Sequence, residues 1–343
     1  MRVVRLVGKE KIRVEEAPDP VLQNSTDAIV RVTHSAICGA DLMPFHGYSP
    51  GFEDGTIMGH EFVGEVVDIG DRVSRVSVGE RVVNVSMISD GTCSHCRENR
   101  ATQCDSRALF GFSGVYPRLD GGQADLVRIP LADRSLWKLP DSVSNEDGVF
   151  VADILPTGFA AVQRGGVAKG DLVVVLGCGP VGLMAVLSAM GTARQVIAVD
   201  SIPVRRELAE QLGATSVSPE DSREYIMQIS NGLGADVVVE AAGSISALNS
   251  SFGLVRGQGV VSVVGAHFEP DYPLNNAVMF EKEITLKFSI GNPGRDRERL
   301  LAAIQSGAMT PSKALTHTLS IEDAADAYRA FDAREMTKVV LLT

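Results

Sequence analysis

Five cysteines stand in the sequence: Cys38, Cys93, Cys96, Cys104 and Cys178. The number is odd, and the N-terminal stretch MRVVRLVGKEKIRVEE alternates apolar and charged residues without the apolar core or cleavage site of a secretion signal. Metal or catalytic use is therefore expected rather than a disulfide framework. Three of the cysteines are spaced Cys93-x2-Cys96-x7-Cys104, with Asp90 ahead of them and His95 between the first two. Thiolates and one carboxylate can close a tetrahedral metal site; a metal-free reduced lobe and a redox C-x-x-C pair are the other readings. Cys38, His60 and Asp153 are a second, dispersed set of potential ligands, each weak alone because a solitary histidine is more often a structural residue.

A different chemistry is written in residues 170–191, GDLVVVLGCGPVGLMAVLSAMG. Gly177, Gly179 and Gly182 satisfy G-x-G-x-x-G, with Pro180 and Val181 ahead of the last glycine. The motif carries weight through its context: an apolar strand precedes it, an apolar helix follows, and a further strand ends at Asp200. The first glycine permits a tight turn, the second lets backbone approach a pyrophosphate, and the third lets helix pack on strand. The helix N-terminus then offers free N–H groups and a positive dipole to the phosphates. Asp200 is placed to hold ribose hydroxyls and to repel a 2′-phosphate, which favours NAD over NADP; Arg205 and Arg206, further into the next helix, pull the other way. Cys178, inside the glycine loop, reads as a small filler.

Gly59-His60-Glu61, followed by Gly64, Gly70 and Val73, matches the signature G-H-E-x2-G-x5-G-x2-V. Together with Cys38-Gly39-Ala40-Asp41, Val78-Gly79-Glu80-Arg81-Val82 in place of the usual G-D-R-V, and the nucleotide fingerprint in the expected order, the chain resembles the zinc-containing medium-chain dehydrogenase/reductase superfamily over essentially its whole length. It looks nearest to the formaldehyde-dehydrogenase-like and secondary-alcohol or polyol branch. The resemblance implies a catalytic zinc on Cys38, His60 and Asp153 with one position open, Asp153 standing where many relatives carry cysteine. It makes Asp41 the carboxylate that orients His60 and puts Glu61 beside the metal. It implies a structural zinc on Asp90, Cys93, Cys96 and Cys104, with His95 the alternative fourth ligand. Thr157 matches the position that packs on the nicotinamide.

The implied reaction is hydride transfer between NAD(H) and a secondary alcohol, polyol, aldehyde or ketone in a cleft between domains. Relatives place serine or threonine two residues after the first zinc cysteine and histidine three further on, as a proton relay. Here Ala40 and Met43 stand there, and neither carries a proton. His46 is the nearest candidate to replace them; a structural role is the other reading. The alternatives are a zinc-bearing reductase of an activated C=C or C=N bond, which dispenses with the relay, and a non-catalytic NAD- and zinc-binding protein. Ala108–Gly122 lacks the long insertion with which dismutase-like relatives trap NAD, so exchangeable cofactor is expected. Leu109, Phe110 and Phe112 either line an apolar pocket or pack in the core.

The elements that must position these groups fall into three stretches. Residues 1–153 show short strand-like runs, Ala28–Thr33, Phe62–Ile69, Arg81–Val85 and Ala124–Ile129, which suggest a mostly β domain; the resemblance implies that this domain is GroES-like and carries the structural zinc lobe 90–104. Residues 154–290 alternate nearly all-apolar runs (Leu172–Leu176, Gln195–Val199, Val237–Glu240, Val260–Val264) with helical stretches (Val181–Met190, Pro203–Leu212), the pattern of a doubly wound parallel Rossmann sheet. Residues 291–343, with helices Arg295–Ser306 and Ile321–Ala330 and a strand Lys338–Leu342, are expected to return to the first domain. The 343 residues suit two domains. A net charge of −11 argues against nucleic acid or an anionic membrane as main partner, and no apolar run approaches the ~20 residues of a membrane span. A small-molecule substrate, a reducing cytoplasmic setting and a homodimer or homotetramer joined through the nucleotide domains complete the expectation.

Overall fold

The computed structural model describes residues 1–267, 271–272 and 274–343. The chain divides into two units, Met1–Asp153 with Asn292–Thr343, and Ile154–Gly291.

In the first unit the strand Ala28–Ile37 is the hub. It pairs antiparallel with Glu61–Ile69, with Leu126–Ile129 and with the late strand Val339–Leu342, so the return segment enters the same sheet. The pairing with Glu61–Ile69 shifts register between Val32 and His34, a bulge that lets the strand run on past the polar pair His34-Ser35 to Ile37. Alternating positions fill one core with Val30, Val32, Phe62, Val66 and Phe110. A second core of Ile37, Phe45, Met58, Tyr328 and Val339 backs the turn after Ile37. Leu126, not Ala124, opens the second of these partner strands. The expected helix over 321–330 is a 3-10 turn, Ile321–Asp323, running into the α-helix Ala324–Asp332; the Glu322 N–H donates to Ser320 Oγ (3.3 Å) to start it.

The second unit is built on six parallel strands in the order Thr215–Val217, Gln195–Val199, Leu172–Leu176, Ala235–Glu240, Val255–Val263 and Thr285–Phe288. Leu172–Leu176 is buried along its whole length, as a central strand covered on both faces must be. The order reverses at this strand: the chain steps one way to Gln195–Val199 and later the other way to Ala235–Glu240. Such a switch point opens a crevice at the carboxyl ends of the strands. No helix among the described residues is long and apolar enough to cross a membrane.

Candidate active site

Cys38 follows the strand Ala28–Ile37 and precedes a 3-10 turn, Gly39–Asp41. The turn folds Asp41 back, so that Asp41 Oδ2 accepts the Cys38 N–H (3.0 Å) while Oδ1 faces His60 Nδ1 at 3.0 Å. One buried carboxylate thus fixes both residues. His60 is held from the other side by Asn84, whose Nδ2 donates to the His60 carbonyl (2.8 Å) and whose Oδ1 accepts the Phe62 N–H (2.9 Å). With Nδ1 turned to Asp41, Nε2 points toward Asp153 Oδ2 (3.3 Å) and Glu61 Oε1 (3.8 Å). One ligand atom each from Cys38, His60, Glu61 and Asp153 lies within 4.8 Å of the others. Asp153 is the one half-buried member; the other three are buried.

This set fits a divalent cation. His60 Nε2 and Glu61 Oε1 are both buried without a hydrogen-bond partner, the condition that a metal ion relieves. Burial pushes the Cys38 thiol up to about 11. Burial also depresses His60, but Asp41, Cys38 and Asp153 outweigh it and carry the imidazole well above its usual value. Positive charge is wanted in the midst of these groups.

Lys338 is a member the sequence reading missed. Its Nζ sits 2.5 Å from Glu61 Oε2 and 3.2 Å from the Ile37 carbonyl, and both charged side chains are fully buried. The sequence reading counts Lys338 only as the first residue of the expected strand Lys338–Leu342. The only sequence signal was a charged residue at the head of an apolar strand.

The second cluster gathers Asp90, Cys93, Cys96 and Cys104 within 4.8 Å. The short helix Ser94–Arg97 brings Cys93 and Cys96 together, and Asp90 Oδ1 accepts the N–H groups of Thr92 (2.6 Å) and Cys93 (3.0 Å). Those two amides hold the Asp90 carboxyl well below the usual carboxylate range. The three thiols are unbridged, and burial raises Cys104 to about 11. Clustered thiols beside an ionised carboxylate suit a closed zinc site. His95 lies outside this cluster, which corrects its standing as an alternative ligand.

In the second unit the turn after Leu172–Leu176 carries the glycines. A Cβ on Gly182 would fall 1.8 Å from the Gly177 carbonyl, so only glycine allows the helix Pro180–Met190 to start so close to the strand. A Cβ on Gly179 would meet nothing within 4 Å, and this residue caps the helix without a side chain. Pro180 and Val181 form the first turn behind it. Open space in front of uncapped helical amides fits a phosphate group. Asp200 Oδ2 accepts the Cys178 N–H (2.7 Å) and Oδ1 the Ile202 N–H (2.8 Å), which pins the carboxylate beside the glycine turn. Arg205 and Arg206 lie in the helix Pro203–Gln211, and Arg206 Nη1 donates to the Asp200 carbonyl (2.8 Å). Thr157 sits in the helix Ile154–Gly165, its Oγ1 only 2.1 Å from where a Cβ on Gly291 would lie. Cys178 is fully buried and its thiol is raised by burial.

His46, the candidate proton exit, is held by two carboxylates. Its Nδ1 faces Glu10 Oε1 at 3.0 Å and its Nε2 faces Asp332 Oδ1 at 2.8 Å, so both ring nitrogens are taken. Phe110 is core, edge-on to Phe62 at 5.3 Å; Phe112 is edge-on to His60 at 6.0 Å and is the aromatic that touches the ligand set.

Residues 24–141 match the family model of the alcohol dehydrogenase GroES-like domain, and residues 180–306 match that of zinc-binding dehydrogenases. The chain is 36% identical to zinc-type alcohol dehydrogenase B of Aspergillus flavus, across 99% of its own length and 81% of the relative's. It is 29% identical to a sorbitol dehydrogenase of Halalkalibacterium halodurans, across 97% of this chain and 96% of that one. Among solved structures, an alcohol dehydrogenase from Thermus sp. ATN1 superposes with a TM-score of 0.95 at 36% identity, covering 100% of this chain and 99% of that one.

Proposed function

The chain belongs to the zinc-binding alcohol dehydrogenases of the medium-chain dehydrogenase/reductase superfamily, and from that premise we propose that it moves a hydride between NAD(H) and a secondary alcohol, a polyol or the matching carbonyl compound. The observation that carries this reading is the convergence of Cys38, His60 and Asp153 around orphaned buried atoms. A zinc ion bound there supplies a Lewis acid that stabilises negative charge on a substrate oxygen.

The chain's own residues do the rest. Asp41 Oδ1 accepts a hydrogen bond from the Nδ1–H of His60 and leaves Nε2 as the ligand atom. Lys338 holds Oε2 of Glu61, which leaves Oε1 facing the ligand set. Asp153, the partly exposed ligand, marks the side from which substrate enters. In the second unit the glycine turn takes the pyrophosphate, and Asp200 takes the ribose hydroxyls, which favours NAD. The sorbitol dehydrogenase relative supports a polyol among the substrates. With Ala40 and Met43 unable to carry a proton, and His46 bound at both nitrogens, the substrate proton leaves through water or the cofactor ribose. The same observation favours a second reading, reduction of an activated C=C or C=N bond. The exposed Phe280, Phe288 and Ile290 around the open edge strand Thr285–Phe288 support self-association through the nucleotide unit. Five unbridged thiols support a reducing, cytoplasmic setting.

Metal analysis, combined with NAD and NADP reduction over a panel of secondary alcohols and polyols, tests this. Two zinc ions per chain and alcohol-dependent NADH formation are expected. A metal-free chain, or one that reduces activated alkenes and oxidises no alcohol, would overturn it.

A further inference from the structure

The second unit buries one carboxylate that the proposed chemistry does not use. Glu240 ends the strand Ala235–Glu240, at the carboxyl end of the sheet, and its side chain is fully buried. Oε1 accepts the N–H groups of Ala242 (3.0 Å) and Gly243 (2.8 Å), and Oε2 faces His267 Nε2 at 2.9 Å. Its carbonyl accepts the N–H groups of Val264 (2.8 Å) and Gly265 (3.0 Å). One residue therefore holds two loops: the one after its own strand and the one after the neighbouring strand Val255–Val263.

Those loops are interlocked with each other and with the glycine turn. A Cβ on Gly265 would come 2.3 Å from the Gly243 nitrogen and 2.8 Å from Glu240 Oε2. A Cβ on Gly177 would come 2.8 Å from the backbone of Ala242. So the segments 177–179, 241–243 and 264–267 meet at the carboxyl ends of three neighbouring strands. Asp200 lies beyond the glycine turn on the opposite flank, after the strand Gln195–Val199. A dinucleotide laid across a switch point puts one nucleotide on each flank. With the adenosine ribose at Asp200, the loops tied by Glu240 receive the other nucleotide, the nicotinamide half.

We propose that His267 is a positioning residue for the nicotinamide half of the cofactor: through Glu240 it locks the loops 241–243 and 264–267 into the conformation that receives it. This rests on the dinucleotide reading of the same crevice. The local logic is that of a buried polar network. A fully satisfied carboxylate rigidifies what it binds, whereas one deprived of a partner drives its surroundings to rearrange. Removing the imidazole leaves Oε2 of Glu240 unanswered, and the loop that carried His267 loses its side-chain tie. A cofactor whose binding-competent loop state is less populated binds more weakly in proportion to that population. The adenosine flank, built on Asp200 and the glycine turn, keeps its own partners.

The test uses the full zinc-loaded chain, with NADH binding read by fluorescence and ADP-ribose binding by calorimetry, on wild type, His267→Ala and His267→Gln. The expected result is that His267→Ala weakens NADH by about tenfold while ADP-ribose affinity stays near wild type. His267→Gln, which keeps an N–H for Glu240, should recover most of the loss. NADH binding unchanged in His267→Ala, or an equal loss of NADH and ADP-ribose, overturns the inference. A wild-type chain that takes up neither ligand overturns the dinucleotide reading and the inference with it.

Discussion

Lys338→Met removes the lysine paired with Glu61 and leaves a carboxylate with no exposed surface. The Ile37 carbonyl loses its side-chain donor as well. Deleting one partner of a buried ion pair costs about 3–5 kcal/mol, because the remaining charge stays desolvated. For a unit of this size each kcal/mol moves the melting temperature by roughly 2–4 °C, so a fall of about 10 °C is expected. Thermal unfolding of the zinc-loaded chain, followed by circular dichroism, reads it directly. The cause is separated from lost packing by the double variant Glu61→Leu with Lys338→Met. This replaces the pair with apolar groups and should regain most of the stability, since well-packed apolar substitutes for a buried pair are often neutral or better. A single variant that melts within about 3 °C of wild type, or a double variant no more stable than the single, would refute the view that Lys338 is there to answer the charge of Glu61.

Asp41→Asn keeps the shape but weakens the acceptor that fixes His60, and zinc affinity at the catalytic set should fall about 10–100-fold in competition with a chelator. His46 is held above its usual value by its hydrogen bond to Glu10 against a small burial penalty, with Asp332 adding to the rise. Its stabilisation is whole below the unfolded value of 6.5 and fades as pH rises through the higher folded one. His46 is 24% exposed and its partners Glu10 and Asp332 are 50% and 34% exposed, so solvent screens the contact and the step is at most about 1 kcal/mol; melting curves of wild type and His46→Gln should converge at alkaline pH and separate toward neutrality. Chelation of the lobe should make Cys93, Cys96 and Cys104 reactive to a thiol reagent, while Cys178, buried and raised in pKa, stays silent in the folded chain. Alkylation that reached Cys178 as fast as Cys93 would contradict this.

What was legible in the sequence follows the range of the forces involved. Leu172–Leu176 and Gln195–Val199 form over the residues expected, because an all-apolar run between turn residues has one place to go in a parallel sheet. The cysteines of the lobe were legible in their spacing, whereas Cys38, His60 and Asp153 stood as one set only through the family resemblance, Asp153 lying far along the chain from the other two. The interactions that motifs do not record were lost. Lys338 meets Glu61 across 277 positions of sequence, and Asp332 meets His46 across 286. His46 follows Cys38 closely enough to suggest a shared site. The short helix Leu42–Phe45 between them turns its ring to the hairpin at Glu10 and to the helix Ala324–Asp332. Ala28–Ile37 ran longer than expected because Ser35, polar in the sequence, is satisfied inside the sheet by donating to the Glu61 carbonyl (3.2 Å).

The balance of buried charge argues that the ligand set is built for a divalent cation rather than merely tolerant of one. Cys38, Asp41, Glu61 and Asp153 are four acidic groups gathered around His60, and among the described residues Lys338 is the lysine or arginine that makes a buried contact to them. Without a metal the cluster can lower its charge only by keeping protons, and the raised thiol of Cys38 and raised imidazole of His60 are that response. A divalent ion answers the excess where the orphaned His60 Nε2 and Glu61 Oε1 lie. The lobe repeats the arrangement with three thiols and Asp90. Binding energy at such sites is folding energy. Metal removal should therefore lower the melting temperature in two steps, the second appearing only with a chelator strong enough to strip the closed lobe. Equal melting temperatures for metal-loaded and metal-free chain would mean that these buried charges are balanced by something other than a metal.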